Sequence, residues 1–298
     1  MIGELAALAA AIGWAFSSVS YRKALSNTSP FQANAIRSIS AGVLMLVFCV
    51  ALGKIGSLVN LPLSVALVAG LSGIISLVVG DTLYMFSLKH LSVSRVVPIG
   101  STYPLFNILI AVILKGEEIT AFIIVGALSI VFGIWLISRQ EKNALNNSHT
   151  KTMTKALIAT LSAAAMWAVS MTLMNDAVTN LETSTLDDAF AINIIRVLAT
   201  SILLLAVSPF ADRRLKFLKT PKKVWLVLVL SGLVSLGLAW FLLAFSFLYI
   251  KESVAVPISS TTPLFSTIAG IVLLKEPITK QIAFGSIIIV LGTFLLFA

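Results

Sequence analysis

The sequence predicts an all-α integral membrane protein, with ten transmembrane helices arranged as two inverted five-helix repeats. Three observations carry that expectation. Hydrophobic residues make up 58% of the chain and charged residues only 11%, whereas a soluble domain carries about 25% charge, so lipid is the solvent this surface suits. A spanning helix takes about 20 apolar residues, which leaves room for ten spans in 298 residues. The stretch VPIGSTYPLFNILIAVILKGEEIT, from Val97 to Thr120, recurs from Val256 to Thr279 as VPISSTTPLFSTIAGIVLLKEPIT, at a constant offset of 159 residues.

The spans are expected at about 3–21, 32–52, 64–88, 93–115 and 119–138, then at 156–174, 189–209, 224–250, 253–274 and 279–297. The first and sixth share a tryptophan: Trp14 in AAAIGWAFSSVS matches Trp167 in SAAAMWAVSMTL at an offset of 153. In the second and seventh, Arg37 in NAIRSISAGVLMLV matches Arg196 in NIIRVLATSILLLA, now at 159, so six residues were gained in between. The third and eighth share Ser72-Gly73 and Ser231-Gly232. The fourth and ninth are the repeated stretch, opened by Pro98 and Pro257 and broken again at Pro104 and Pro263. The fifth and tenth share Gly126 with Gly285 and Gly133 with Gly292. Two repeats, 1–138 and 156–298, are thus joined by a polar linker, 139–155. Five is odd, so the second repeat enters the membrane with opposite polarity, which places a pseudo-two-fold axis in the membrane plane.

Loop charge orients the chain. Only Lys54, Lys115 and Lys251 fall on the side of the N-terminus, together with Asp176, Glu182, Asp187 and Asp188, while the other loop cations face the opposite side. The positive-inside rule then puts both termini outside. The first apolar run lacks a basic region and a small-residue cleavage site, so it reads as a retained helix. Loop cations account for the net charge of +9, and nucleic acid is not an expected partner, because a basic groove needs a soluble face. With Cys49 as the single cysteine and both histidines, His90 and His149, in loops, no metal site or cofactor is expected. No H-E-x-x-H, G-x-S-x-G or Walker-type run is present, which argues against an intramembrane enzyme and against ATP-driven transport.

Polar groups inside spans are the candidate site, because a charge at mid-membrane costs about 2.5–3.5 kcal/mol on insertion scales. Asp81 is the acidic residue placed well inside a span, with Tyr84 and Ser87 on the same face. It is a candidate for a coupling proton or for a cationic substrate group; the alternative is a carboxylate paired with an arginine. Trp240 holds the matching position in the second repeat. Arg37 and Arg196 suit a substrate carboxylate or phosphate, or else tie helices together, with Asn34 and Asn193 three residues earlier as hydrogen-bond partners. Trp14 and Trp167 lie inside their helices and suit the walls of a central cavity, next to Ser17, Ser18 and Tyr21 in one copy and Ser170 in the other. The broken segments contribute Ser101, Tyr103, Asn107, Ser260 and Thr261. Broken helices at corresponding places in two repeats point to a transport site. Glu117 and Glu276, with Thr120 and Thr279, are expected to set turns and cap the helices that follow.

These residues carry a family likeness. With a Trp in the first helix of each repeat, an Arg near the start of the second, and the run SRVVPI…YPLF…E-x-x-T before the fifth, the chain resembles the ten-helix members of the drug/metabolite transporter superfamily, built from two EamA domains. GDTLYMFSLKHLSVSRVVPIG, from Gly80 to Gly100, looks especially like that family's third-to-fourth helix segment. The resemblance implies a secondary transporter of the cell membrane, often an exporter of amino acids or similar metabolites. It further implies a substrate path between the repeats, peripheral fifth and tenth helices, and a monomer or homodimer. A small-molecule substrate and the bilayer are then the partners, with a proton as candidate coupling ion. An intramembrane enzyme is the runner-up reading, and a non-transporting scaffold or lipid-handling membrane protein is a third.

Overall fold

Apolar helices dominate the computed structural model, which describes residues 1–115, 120–138, 147–181, 185–212, 215–276 and 279–297, and no strand occurs among them. Among the described residues, seven helices are long and apolar enough to cross a membrane. They are α1 (Ile2–Ala24), α2 (Pro30–Ala51), α3 (Leu63–His90), α7 (Asn147–Thr179), α8 (Leu186–Ala211), α9 (Lys222–Ser246), and Glu252–Leu274, which is built from α10 (Glu252–Ser259) and α11 (Thr262–Leu274). Between α3 and α7 lie α4 (Val93–Gly100), α5 (Tyr103–Lys115) and the shorter apolar α6 (Ala121–Ser138); α12 (Lys280–Leu295) closes the chain. Glu117 and residues 139–146 of the expected linker lie outside the described residues. The rest of that linker differs from expectation. Residues 147–155 are already helical, because the stretch holds no Pro or Gly to stop a helix, and Met153 packs on the core beneath.

Two helices are interrupted in the same way at the same offset. α3 widens into a π-helical segment at Ile74–Gly80, and α9 does so at Leu233–Ala239. A π turn misaligns backbone carbonyls, and in lipid each must find a donor. The carboxamide of Asn34 supplies it, donating to the Leu77 carbonyl at 2.7 Å; Asn193 donates to the Leu236 carbonyl at 2.9 Å. The breaks at residues 101–102 and 260–261 fall three residues beyond Pro98 and Pro257. Those prolines sit inside α4 and α10 and do not open them as expected. Pro263 cannot donate to the Ser259 carbonyl, and the Thr262 hydroxyl does so at 2.8 Å. Ser260 and Thr261 likewise donate to the carbonyls of Pro257 and Ile258, each at 2.7 Å.

Helices from the two halves of the chain interleave through backbone contact. Gly73 lies against the Arg196 carbonyl, and a Cβ at Gly232 would stand 2.8 Å from the Arg37 carbonyl oxygen. These two contacts are the same contact seen from each half, since 37 and 196, and 73 and 232, are both 159 apart. α6 and α12 pair in the same reciprocal manner, Gly126 against Gly292 and Gly133 against Gly285, running antiparallel. Small residues allow such approach where no hydrophobic force drives helices together. Replacing Gly73 by Ala should therefore lower stability by about 1–3 kcal/mol through overpacking. Gly56→Ala, where no other side chain crowds the new methyl, should stay within about 0.5 kcal/mol. Thermal unfolding of the two variants in detergent compares them.

Candidate functional site

α1 and α7 bring the site together because each crosses to the third long helix of the other half. Trp14 on α1 meets Trp240 on α9 edge-on, centroids 5.1 Å apart, and Trp167 on α7 meets Tyr84 on α3 in the same way at 4.9 Å. The crossing is tied by hydroxyls. Ser17 and Tyr21 donate to the Ser231 carbonyl at 3.2 and 3.1 Å, and Ser72 donates to the Ser170 carbonyl at 2.9 Å. Edge-to-face aromatic pairs add about 0.5–1.5 kcal/mol beyond their burial.

A cavity of about 60 Å³ lies between these pairs. Trp14, Ser17, Ser18 and Tyr21 of α1 line it, with Trp167 and Met171 of α7 opposite. Arg37, Asp81, Tyr84, Ser235 and Trp240 close its sides, and the broken segments add Val97, Ser101, Tyr103 and Thr262. A hollow near 150 Å³ admits a benzene-sized molecule, so this one has room for water but not for a molecule of that size.

At its wall Arg37 forms an ion pair with Asp81, and both side chains are buried. The pair is embedded further. Trp167 Nε1 donates to the other Asp81 oxygen at 2.8 Å, Arg37 Nε donates to Asn34 Oδ1 at 3.0 Å, and the guanidinium lies 4.7 Å over the Tyr21 ring. At the matching place in the second half, Arg196 forms no ion pair among the described residues. Its guanidinium lies 4.1 Å over the Trp240 ring, and it donates to Ser72 and Ser170 hydroxyls at 3.0 Å. An aromatic face is a weaker counter-charge than a carboxylate, and the surrounding hydroxyls supply the rest of the solvation that lipid withholds.

Nine expected residues therefore converge: Trp14, Ser17, Arg37, Asp81, Tyr84, Ser101, Tyr103, Trp167 and Trp240 all line the cavity. Six do not. Asn34 and Asn193 are used by the π segments, Arg196 is enclosed by hydroxyls and Trp240, and Ser260 and Thr261 bond their own helix. Asn107 lines a separate hollow with Glu252. Sequence reasoning missed Ser235, Met171 and Val97. The sequence held a signal for two of them: Ser235 sits four residues on from Ser231, on the same helix face, and the offset of 153 pairs Met171 with Ser18. Glu276 also departs from expectation. It does not cap the helix that follows, a role Thr279 fills by accepting from the Ile282 amide at 3.4 Å. Its carboxylate instead accepts from the Val93 and Ser94 amides at 2.9 and 3.1 Å, capping α4 in the other half of the chain. The preference for an anion at a helix N-terminus, not sequence proximity, decides that partner.

The sequence pattern of the EamA-like transporter family matches residues 1–139 and again residues 154–298. The chain belongs to the EamA-like transporter family. A protein of Archaeoglobus fulgidus described as an uncharacterized transporter is 30% identical over 299 aligned positions, covering 99% of this chain and 98% of the relative. A solved crystal structure, 18% identical, superposes with a TM-score of 0.63 over 96% of this chain and 95% of its own, which shows a shared fold. This EamA-like chain is thus a multi-pass membrane transporter, the coarse reading that its apolar helices and its family agree on. Its buried ion pair yields a stability test. Arg37→Ala or Asp81→Ala alone should cost about 3–5 kcal/mol, because each strands the opposite charge. Arg37→Met combined with Asp81→Leu should cost less than either, as read by thermal unfolding of the purified variants.

Proposed function

We propose that this transporter is a secondary active carrier that exports a small amphipathic metabolite, such as an amino acid, across the cell membrane by alternating access. The carrying observation is the cavity between α1 and α7, with a buried cation and carboxylate side by side at its wall. Arg37 and Asp81 can exchange each other for a zwitterion: a carboxylate takes the guanidinium fork, and an ammonium takes Asp81 with the Trp167 and Tyr84 rings nearby. Asp81 is also the group suited to a coupling proton, since opening its ion pair leaves a carboxylate facing the cavity. Export as the direction rests on the likeness to the ten-helix drug/metabolite transporters.

The mechanism we propose is a rocking of two inverted five-helix repeats about this site. Reciprocal contacts at a 159-residue offset support it: Gly73 with Arg196 against Gly232 with Arg37, and Gly126 with Gly292 against Gly133 with Gly285. Equivalent helices that meet antiparallel are related by a two-fold axis perpendicular to them, which is the geometry of an inverted repeat. The small volume of the cavity fits a conformation between substrate-loaded states. Tyr103 and Ser259, hydrogen-bonded at 2.6 Å across the two broken helices, are the contact that must part for passage toward α5 and α10.

Flux of labelled amino acids and related metabolites from proteoliposomes tests this reading. Asp81→Asn and Trp14→Ala, each eluting as folded protein, should lower flux of the transported solute at least about tenfold, a barrier change near 1.4 kcal/mol. Asp81→Asn should also remove any response to an imposed pH gradient. Unchanged flux in both variants, or no flux of any solute in folded wild-type protein, would count against the proposal.

A further inference from the structure

The two matched arginines place their guanidinium groups differently. Arg37 reaches back along its own helix: its Nε donates to Asn34 Oδ1 at 3.0 Å, and its head group pairs with Asp81 at the cavity wall. Arg196 reaches across to α3 and α7. Its Nε donates to the Ser72 hydroxyl at 3.0 Å, and its Nη2 to Ser76 and Ser170 at 3.3 and 3.0 Å. Its Nη1 is left with the Met174 sulfur at 2.7 Å, and a thioether is a weak acceptor.

The place that Arg37 uses also exists beside Arg196. Asn193 precedes Arg196 by three residues, as Asn34 precedes Arg37. The Asn193 nitrogen donates to the Leu236 and Gly237 carbonyls at 2.9 and 3.1 Å. Both partners accept only, so the orientation of the carboxamide is fixed. Its Oδ1 is buried and has no hydrogen-bond partner. In the first half the corresponding oxygen accepts from Arg37 Nε and from the Ser38 hydroxyl at 3.2 Å. Val197 stands where Ser38 does and has no side-chain donor. Arg196 Nε is the matching donor, and in this conformation it is turned to Ser72. One aromatic ring separates Arg196 from the cavity: Trp240 lines the cavity, with the guanidinium 4.1 Å from its centroid.

We infer that Arg196 is the binding residue for a second anionic group on the substrate, reaching the cavity by swinging from its serine pocket to Asn193 Oδ1. Resting on the zwitterion reading of the cavity, this narrows the substrate class. Arg37 and Asp81 take one carboxylate and the ammonium. Arg196 adds a further positive charge, and Trp240 stands where a second aspartate would balance it. The ligand that matches is an amino acid whose side chain carries a carboxylate or phosphate, which a guanidinium fork binds by paired hydrogen bonds. Serine hydroxyls and the Trp240 face solvate the charge when no ligand is present.

Thermal unfolding of the full chain in detergent, at equal ionic strength, tests the assignment. The probes are L-glutamate, L-aspartate and O-phospho-L-serine, each against its neutral counterpart L-glutamine, L-asparagine or L-serine. At least one acid should raise the melting temperature saturably, since a ligand that binds only the folded state stabilises it. Its neutral counterpart should need about tenfold more for the same shift. Arg196→Gln should bring the two concentrations together, whereas a merely structural arginine would lower the melting temperature and leave their ratio unchanged. Ser76→Ala, which loosens the serine pocket and keeps the arginine, should lower the acid's midpoint concentration about threefold, by removing part of the cost of reaching the binding-competent state. Equal stabilisation of wild-type protein by acid and neutral counterpart overturns the role of Arg196 and leaves the zwitterion reading standing. Stabilisation by no amino acid overturns both. An unchanged ratio in Arg196→Gln, or an unchanged or raised midpoint in Ser76→Ala, overturns the role of Arg196 alone.

Discussion

Charge without water is the constraint from which the rest of this structure follows. Two guanidinium groups, Arg37 and Arg196, are buried at matching places in the two halves of an apolar bundle. Neither can be left bare, because the cost of an isolated ion in a low-dielectric interior exceeds what packing returns. The chain answers twice, in different chemistry. Arg37 takes a carboxylate, Asp81, while Arg196 takes the face of Trp240 and a cluster of serine hydroxyls. The asymmetry gives the cavity an ion pair from the first half of the chain and none from the second. A site whose two sides differ can distinguish the two ends of a ligand.

The same accounting governs the backbone. π segments in α3 and α9 and breaks after α4 and α10 free carbonyls that lipid cannot solvate. Asn34, Asn193, Ser260, Thr261 and Thr262 each satisfy one. Polar residues inside spans therefore divide into two kinds. Some repair the helices that hold the site, and some face the site itself. In an apolar sequence both look alike, since each is a lone polar side chain among leucines and valines.

Close helix approach sets the geometry around them. Glycines at 73 and 232 bring the third long helix of each half against the backbone of the second helix of the other. With the helices this close, the side chains of Trp14 and Trp167 reach across to Trp240, Asp81 and Tyr84. Glu276 adds a link at the end of α4 by placing its carboxylate on two free amides.

Much of this was legible in the linear chain. Hydropathy identified apolar helices, the 159-residue offset paired their residues, and the proline pairs located the interruptions to within a few positions. These features are local or periodic, so one dimension preserves them. Membership of the cavity was partly legible: the tryptophans, Arg37, Asp81 and Tyr103 stood out because burying them demands a reason. Only the tertiary structure could separate Arg37, which faces the cavity, from Arg196, which does not, or show that Asn34 serves a carbonyl and Glu276 caps a helix more than 180 residues away. A polar group in a membrane bonds whichever neighbour packing delivers, and packing is decided by helix faces meeting across the whole chain, which no spacing within one helix records.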